Sequence, residues 1–355
     1  MIAGANIATI LIMIAIGYSD RINPAEHPLV ANLGMAFPIF LIINLMFLIF
    51  WAIFKPTWSL IPIVGYLLCY SPLRTYFPIN LPKDVPEGAI KVMSYNVCKF
   101  NLKQKGIKDN PIVNYILEQD PDILCLQEFS SDNKDRQEFI DLVDDRYPYR
   151  SATYSNAISD YIAIFSKFPI ADKEMIMDAD SNKVSMAYKL LIQDDTVTVI
   201  NNHLEITGLT ADEVKHFSEI VAGNINEEQA KQDTRKLLDK LGESSRERAP
   251  QAEAIAQYLG RNAGKSIICV GDFNDNPISY SHHVIAEKLK DCFVESGFGA
   301  GISYYNSRVF VRIDHIFCSD DWQSYGCKVE SKIKGSDHYP ICCWLKKAPK
   351  SAKNE

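Results

Sequence analysis

Six short polar clusters, each beside an apolar run, carry the side chains able to do chemistry. Ser94-Tyr95-Asn96 closes the run that begins at Ala89, and Gln127-Glu128 closes Ile123–Leu126. Asn201-Asn202-His203-Leu204 follows Val197–Ile200, and Gly271-Asp272-Phe273-Asn274 follows Ile267–Val270. Ile313-Asp314-His315-Ile316-Phe317 sets an acid inside a run, and Ser336-Asp337-His338 precedes the last one. Hard oxygen donors of this kind suit Mg2+ or Mn2+, whose remaining positions go to water and substrate phosphate. Imidazoles and carboxylates held beside such a phosphate can move protons. Taken singly, each cluster has an ordinary reading: a solvated strand end for Gln127-Glu128, a structural histidine for His203, an Asx-turn for Gly271–Asn274, a capping tripeptide for Ser336–His338. The weight lies in six of them in a fixed order over about 245 residues.

The elements that must position these clusters alternate between strand and helix. Strands are expected at Ala89–Val97, Ile123–Gln127, Tyr161–Ser166, Ser185–Leu191, Thr196–His203, Ser266–Val270, Phe310–Phe317 and Pro340–Leu345, on their length and β-branched content. Helices are expected at Ile112–Glu118, over Ala230, Leu237, Leu238 and Leu241 with Asn226 as N-cap, and after Pro250, a favoured first-turn residue, with Ala252, Ile255, Ala256 and Leu259 on one face. Residues 204–250 read as a charged, mostly helical insertion of the kind that shapes a substrate cleft. The chain shows no internal repeat. In layered α/β folds, ligand and catalytic groups gather at strand ends, where these clusters lie.

The ordered set resembles the endonuclease/exonuclease/phosphatase superfamily, the DNase-I-like fold, across residues 89–346. The likeness rests on Ser94–Asn96, Gln127-Glu128, Asn201–Leu204, Gly271–Asn274, Ile313–Phe317 and Ser336–His338. It implies a four-layer α/β sandwich, two packed mixed β-sheets flanked by helices, and hydrolysis of phosphodiesters or phosphomonoesters with a divalent metal, usually Mg2+. It also implies roles: Glu128 as main metal ligand with Asn96 beside it and Asp337 near the metal, Asp272 orienting or deprotonating the attacking water, and Asn274 holding a phosphate oxygen. His338, positioned by Asp314, would polarise the scissile phosphate, and His203 would assist at the phosphate or leaving group. The chain departs from the pattern at Cys98, where abasic-site endonucleases carry an acid, and at Ser159-Asp160-Tyr161, where many members have a glycine-containing stretch. His282 and His283 read as surface-helix residues, His315 as packed within its strand, and Tyr304 and Tyr305 as substrate-stacking or loop-core residues alike.

Residues 1–83 carry only Arg21, Lys55, Arg74, Lys83, Asp20 and Glu26. The charge-free stretches Met1–Ser19, Pro28–Phe54 and Pro56–Leu73 predict two to three transmembrane helices (about 1–19, 30–54 and 57–73), with Trp51, Trp58, Tyr70 and Tyr76 near their ends and Pro62 interrupting the third. A region 1–80 in the bilayer, a linker 81–88, a catalytic domain 89–347 and a polar tail 348–355 follow. With three spans, Lys55 in the second loop sends the catalytic domain to the outer face, while Arg74 and Lys83 just after the last span pull the other way. The nine cysteines contain no C-x-x-C pair and, read as buried apolar residues, suit a reducing compartment instead.

Beyond residue 83 the chain holds 33 basic and 42 acidic residues, a net charge of −9, which opposes non-specific binding of nucleic acid. Lys236, Lys240, Arg246 and Arg248 interleave with Asp239 and Glu243 and read as a solvated helix face. The leading expectation is therefore a membrane-anchored, Mg2+-dependent phosphoesterase cleaving phosphodiesters, with nucleic acid or lipid head groups as substrate and the bilayer as partner. The competing expectation is a catalytically inactive, membrane-tethered scaffold of the same fold, whose mark would be a lost Glu128, Asp272 or His338. A transporter would need a helical bundle with intramembrane polar residues, of which these short spans have almost none.

Overall fold

The computed structural model describes residues 1–101, 106–130, 132–155, 160–176, 184–207, 227–306, 309–333 and 335–348. Asn226, Ser159, residues 208–226 of the insertion and residues 349–355 of the tail lie outside the described residues. One six-stranded sheet runs β13 (Trp322–Val329), β14 (Ile341–Lys347), β1 (Ile90–Asn96), β2 (Ile123–Gln127), β4 (Asp160–Ser166), β3 (Tyr149–Ser155). The other runs β5 (Ile170–Met175), β6 (Val184–Ile192), β7 (Asp195–His203), β8 (Ser266–Asp272), β12 (Asp314–Cys318), β9 (Lys290–Asp291). The pairs β1/β2 and β7/β8 are parallel, and the remaining pairs are antiparallel.

Alternation along each strand sends side chains to two cores. Val92, Cys125 and Ile164 of the first sheet meet Tyr188, Val199, Val270 and Ile316 of the second. On the outer face of the first sheet, Met93, Tyr95 and Leu124 pack against α6 (Pro111–Gln119) and α7 (Asn133–Val143). On the outer face of the second, Ile200, Ile267 and Cys269 pack against α8 (Glu227–Arg261) and α9 (Tyr280–Ala286). The result is the expected four-layer sandwich.

Two expectations change. Phe310–Phe317 is not one strand: β10 (Tyr304–Asn306) pairs with β11 (Val309–Val311) as a separate hairpin. The ladder breaks because Ser303 Oγ accepts from the backbone N–H groups of both Ile313 and Asp314. Pro250 does not open a new helix, since α8 runs through it. Ala252, Ile255 and Leu259 after the proline pack on the second sheet, and Leu241, Ser245 and Ala249 before it are also buried, Ser245 against Asn32 of the amino-terminal region.

The amino-terminal region forms α1 (Ile2–Gly17), α2 (Pro28–Ala31), α3 (Phe37–Phe54), α4 (Leu60–Leu68) and α5 (Tyr70–Tyr76). Two segments, Ile2–Arg21 and Pro28–Phe54, are long and apolar enough to cross a membrane; the third, Pro56–Leu68, is shorter. Pro62 lies in the first turn of α4, where a missing N–H costs nothing. The polar groups of this bundle turn inward. Asn6 Nδ2 donates to Asn44 Oδ1 at 3.1 Å, Trp51 Nε1 to Asn6 Oδ1 at 3.1 Å, and Thr9 Oγ1 to Asn44 Oδ1 at 3.1 Å. Ile7, Leu11, Ile42, Leu45, Ile49 and Leu67 face outward.

The bundle is docked on the sandwich. Ile278 packs among Met13, Ile16, Phe37 and Cys69, and a Cβ on Gly34 would sit 1.9 Å from the Ile278 carbonyl oxygen. Buried Arg312 donates to the backbone carbonyls of Thr75 and Ala300, and Asn80 to those of Val294 and Gly297.

The two sheets are clasped by amides beneath the polar strand ends. Gln127 Nε2 donates to Asn201 Oδ1 at 2.7 Å, while Asn201 Nδ2 donates to the carbonyls of Leu126 and Ala163. Asn201→Ala leaves these buried groups unpaired and is expected to cost about 2–4 kcal/mol. Calorimetry of the detergent-solubilised protein should show a midpoint lowered by roughly 5 °C or more; a drop within about 2 °C would assign the clasp a minor role.

Candidate active site

Register brings the strand-end groups together. His203 stands opposite Asp272 on β7 and β8, and Asp314 stands opposite Asp272 on β12. Across the sandwich, Asn96 pairs with Gln127, the residue before Glu128. The backbone bends sharply where the side chains leave the sheets: φ is +49° at Glu128 and +50° at Asn274. Gly271 has φ +141°, and a Cβ there would lie 2.1 Å from the Asn202 carbonyl oxygen, so only glycine lets β7 and β8 approach before Asp272.

Asn96 joins the two halves. Its Nδ2 donates to Glu128 Oε1 at 3.1 Å and to Asp272 Oδ2 at 3.0 Å, and its Oδ1 accepts from the Cys98 N–H. Asp272 is 1 % exposed; its Oδ1 accepts from the Asn274 N–H at 2.9 Å. His203 Nε2 lies 3.8 Å from Glu128 Oε1 and 3.7 Å from Asp272 Oδ2. His338 Nδ1 is 2.9 Å from Asp314 Oδ2, and its Nε2 points at Asp272 Oδ2, 3.6 Å away. Burial raises the Asp272 carboxyl to about 7, opposed by the neighbouring His338 charge. Burial alone would lower His338, but Asp314 and Asp272 push it up to about 10. The imidazolium is therefore the stable form between two carboxylates at neutral pH.

The remaining expected residues lie around this centre. Asn274 donates through Nδ2 to the Leu204 carbonyl, tying the loops after β8 and β7 together. Asp337 is half-buried beside Cys98, whose thiol burial and the Asp337 and Glu128 carboxylates push up to about 12. Tyr305 stacks on Tyr339 at 4.0 Å and donates through its hydroxyl to the Ser336 carbonyl, which makes it a support of the Ser336–His338 loop. The Tyr304 ring meets His338 edge-on at 5.0 Å. Asp160 begins β4, and the Tyr161 ring lies under the Arg136 guanidinium.

The donor chemistry fits a hard divalent cation. Glu128 is the partly exposed carboxylate of the cluster, with the Asn96 amide against it, and Asp314 Oδ1 is a buried oxygen with no hydrogen-bond partner. Oxygen donors of this kind are what Mg2+ and Mn2+ prefer.

His282 and Arg248 differ from expectation. His282 is buried rather than on a surface helix face, because its ring packs on His315 and Phe317 of β12; its Nε2 is 2.8 Å from Asp291 Oδ2. His283 is partly exposed and reaches Asp20 of the amino-terminal region at 3.2 Å. Arg246 is exposed and pairs with Glu243, as a solvated face requires, but Arg248 is 1 % exposed and faces the site loops. Its helical phase with Ser245, Ala249 and Ala252 was the available signal. His282, Asp291 and His315 bring ligand atoms within 4.8 Å of one another. Their charge is nevertheless spoken for: Asp291 is the nearby anion for fully buried Arg312, and His315 Nε2 is 3.2 Å from the Asp275 carbonyl. His315 thus packs locally, as expected.

The family described as Endonuclease/Exonuclease/phosphatase matches residues 93–338, and a domain of unknown function matches residues 1–76. No curated protein matches the chain. Among solved structures, the human Nocturnin catalytic domain with bound sulfate is 18% identical with TM-score 0.53, covering 75% of this chain and 97% of its own. An endonuclease/exonuclease/phosphatase from Beutenbergia cavernae is 16% identical with TM-score 0.54, covering 73% and 72%. These likenesses support the fold.

Burial and the His282 charge lower His315 to about 3. A histidine depressed in the folded state binds protons in the unfolded chain first, so its contribution to stability is present above about pH 6.5 and lost progressively toward about pH 3. The wild-type thermal midpoint should therefore fall between about pH 7 and about pH 4, with His315→Phe flattening that slope. Parallel slopes in the two proteins would refute the assignment.

Proposed function

The chain belongs to the endonuclease/exonuclease/phosphatase family, and from that premise we propose that it is a membrane-anchored, divalent-metal-dependent phosphodiester hydrolase. The observation that carries this reading is the meeting of Asn96, Glu128, His203, Asp272, Asp314 and His338 in one site. Glu128, Asn96 and Asp337 would hold Mg2+ or Mn2+, which when bound neutralises charge on the phosphoryl oxygens. Asp272, with its carboxyl raised to about 7 by burial, is suited to take a proton from the attacking water. His338, kept charged by Asp314, donates to a phosphate oxygen where negative charge grows. His203 lies within reach of the same region and assists at the phosphate or the leaving group, while Asn274 fixes the loop and offers an amide to the phosphate.

The bundle supports an anchoring role, since Asn6, Thr9, Asn44 and Trp51 satisfy one another internally and its outward face is apolar. Met1 and Lys55 lie at the end of α1 and α3 away from residues 18–36, so positive-inside logic puts the catalytic domain on the outer face of the membrane. The site loop reaches the bundle through Ile278, four residues beyond Asn274. That proximity, with the net charge of −9 beyond residue 83, favours lipid head groups over nucleic acid as the substrate.

The test uses the full-length protein in detergent, with Mg2+ or chelator, on a chromogenic phosphodiester, phospholipid and sphingomyelin vesicles, plasmid DNA and RNA. Metal-dependent turnover is expected, greatest on a lipid, with Asp272→Asn lowering kcat by about 1000-fold and His338→Gln by about 100-fold or more. Turnover in Asp272→Asn within about tenfold of wild type would sink the proposed role, and preference for DNA or RNA would reverse the substrate choice.

A further inference from the structure

The side chain of Arg248 is buried where three parts of the chain meet, and its guanidinium spans all of them. Nη1 donates to the Glu205 carbonyl at 2.9 Å, two residues beyond His203. Nε donates to Asp275 Oδ2 at 3.3 Å, three residues beyond Asp272 and next to Asn274. Nη2 donates to Ser245 Oγ at 3.0 Å, and that hydroxyl donates to Asn32 Oδ1 of the amino-terminal region at 2.9 Å. The ends of the strut are themselves fixed. Asp275 Oδ2 also accepts from Ser281 Oγ, its carbonyl oxygen lies against His315 Nε2, and Gln251 Oε1 accepts from the Glu205 N–H.

We propose that Arg248 is a positioning residue for hydrolysis, holding the His203 loop and the Asp272 loop at a fixed separation, and that Asn32 makes the amino-terminal segment part of the same strut. The proposal rests on the reading of His203 and Asp272 as groups at the reacting phosphate. Arg248 touches neither substrate nor the reacting atoms; it acts through Glu205 and Asp275. A planar five-donor guanidinium can hold three acceptors in fixed directions, whereas a lysine ammonium is a single compact donor on a flexible stem. A side-chain shift of about 1 Å at a reacting group is enough to cost about 100-fold in rate. Removing the strut should thus lower kcat and leave substrate binding largely intact.

The experiment compares full-length wild type, Arg248→Met, Arg248→Lys, Ser245→Ala, Asn32→Ala and the exposed control Arg246→Ala, using a chromogenic phosphodiester with Mg2+. Hydrogen–deuterium exchange of residues 204–206 and 273–276 is followed in the same proteins without substrate. Arg248→Met should lower kcat by about 30-fold or more with KM within about threefold, and Arg248→Lys should recover part of the loss. Ser245→Ala and Asn32→Ala should lower kcat by about 3- to 10-fold. Both loops should exchange faster in the strut variants, and Arg246→Ala should match wild type. Unchanged kcat and exchange in Arg248→Met, or a rise in KM alone, overturns the proposal. If Arg248→Met does not fold, Ser245→Ala decides by the same two readouts. If wild type shows no turnover, the hydrolase reading fails, and exchange alone decides whether the strut exists.

Discussion

Burial of the Asp272 carboxylate is the constraint from which the rest of the site follows. A carboxylate at 1 % exposure loses its hydration and must be given donors or a counter-charge. The chain supplies the Asn96 amide, the Asn274 N–H and the His338 imidazolium. Each supplier needs its own support. His338 is held by Asp314 and by the Ser336 hydroxyl at its backbone N–H, and that hydroxyl in turn donates to the Asn96 carbonyl. The carboxylate is thus compensated only when both sheets are in register, which couples the geometry of the site to completion of the fold.

That coupling explains what could be read from the sequence. The eight strand candidates correspond to β1, β2, β4, β6, β7, β8, β12 and β14, which are the interior strands of the two sheets. Interior strands are covered on both faces and read as nearly continuous apolar runs. Within the two six-stranded sheets, the four strands not anticipated, β3, β5, β9 and β13, are the four sheet edges. In β5 every residue after Ile170 is exposed, so no apolar signal marks it. The clusters were legible for a related reason: Asn96, Gln127-Glu128, His203 and Asp272 end apolar runs of interior strands, and Asp314 and Ser336–His338 stand at or just before the start of two others, where a polar residue beside an apolar run is conspicuous.

Residues whose role depends on tertiary context were not legible. Arg248 lies in a charged stretch with Glu247 and Arg246, and only the packing of α8 on the site loops turns its side chain inward. His282 looks like a surface residue until its ring is seen packed on His315 and Phe317 of β12. Pro250 carries a strong local signal for a helix start, overridden by apolar anchors on both sides of it. In each case a local preference worth about 1–3 kcal/mol is outweighed by burial of several side chains at once.

The amino-terminal bundle enters the same physical account. Two fully buried arginines mark its junction with the sandwich: Arg312 donates to the Thr75 carbonyl, and Arg248 reaches Asn32 through Ser245. A buried guanidinium is strongly destabilising unless its acceptors are in place. Here the Thr75 carbonyl that receives Arg312 and the Asn32 amide that backs Ser245 come from the amino-terminal region, so separating the bundle from the sandwich would strip partners from groups that water does not reach. A bundle attached by a flexible linker alone would leave no such debt. The docking is therefore part of the folded state of the sandwich, and it runs through the Asp275–Ile278 loop that leaves β8, the strand that carries Asp272.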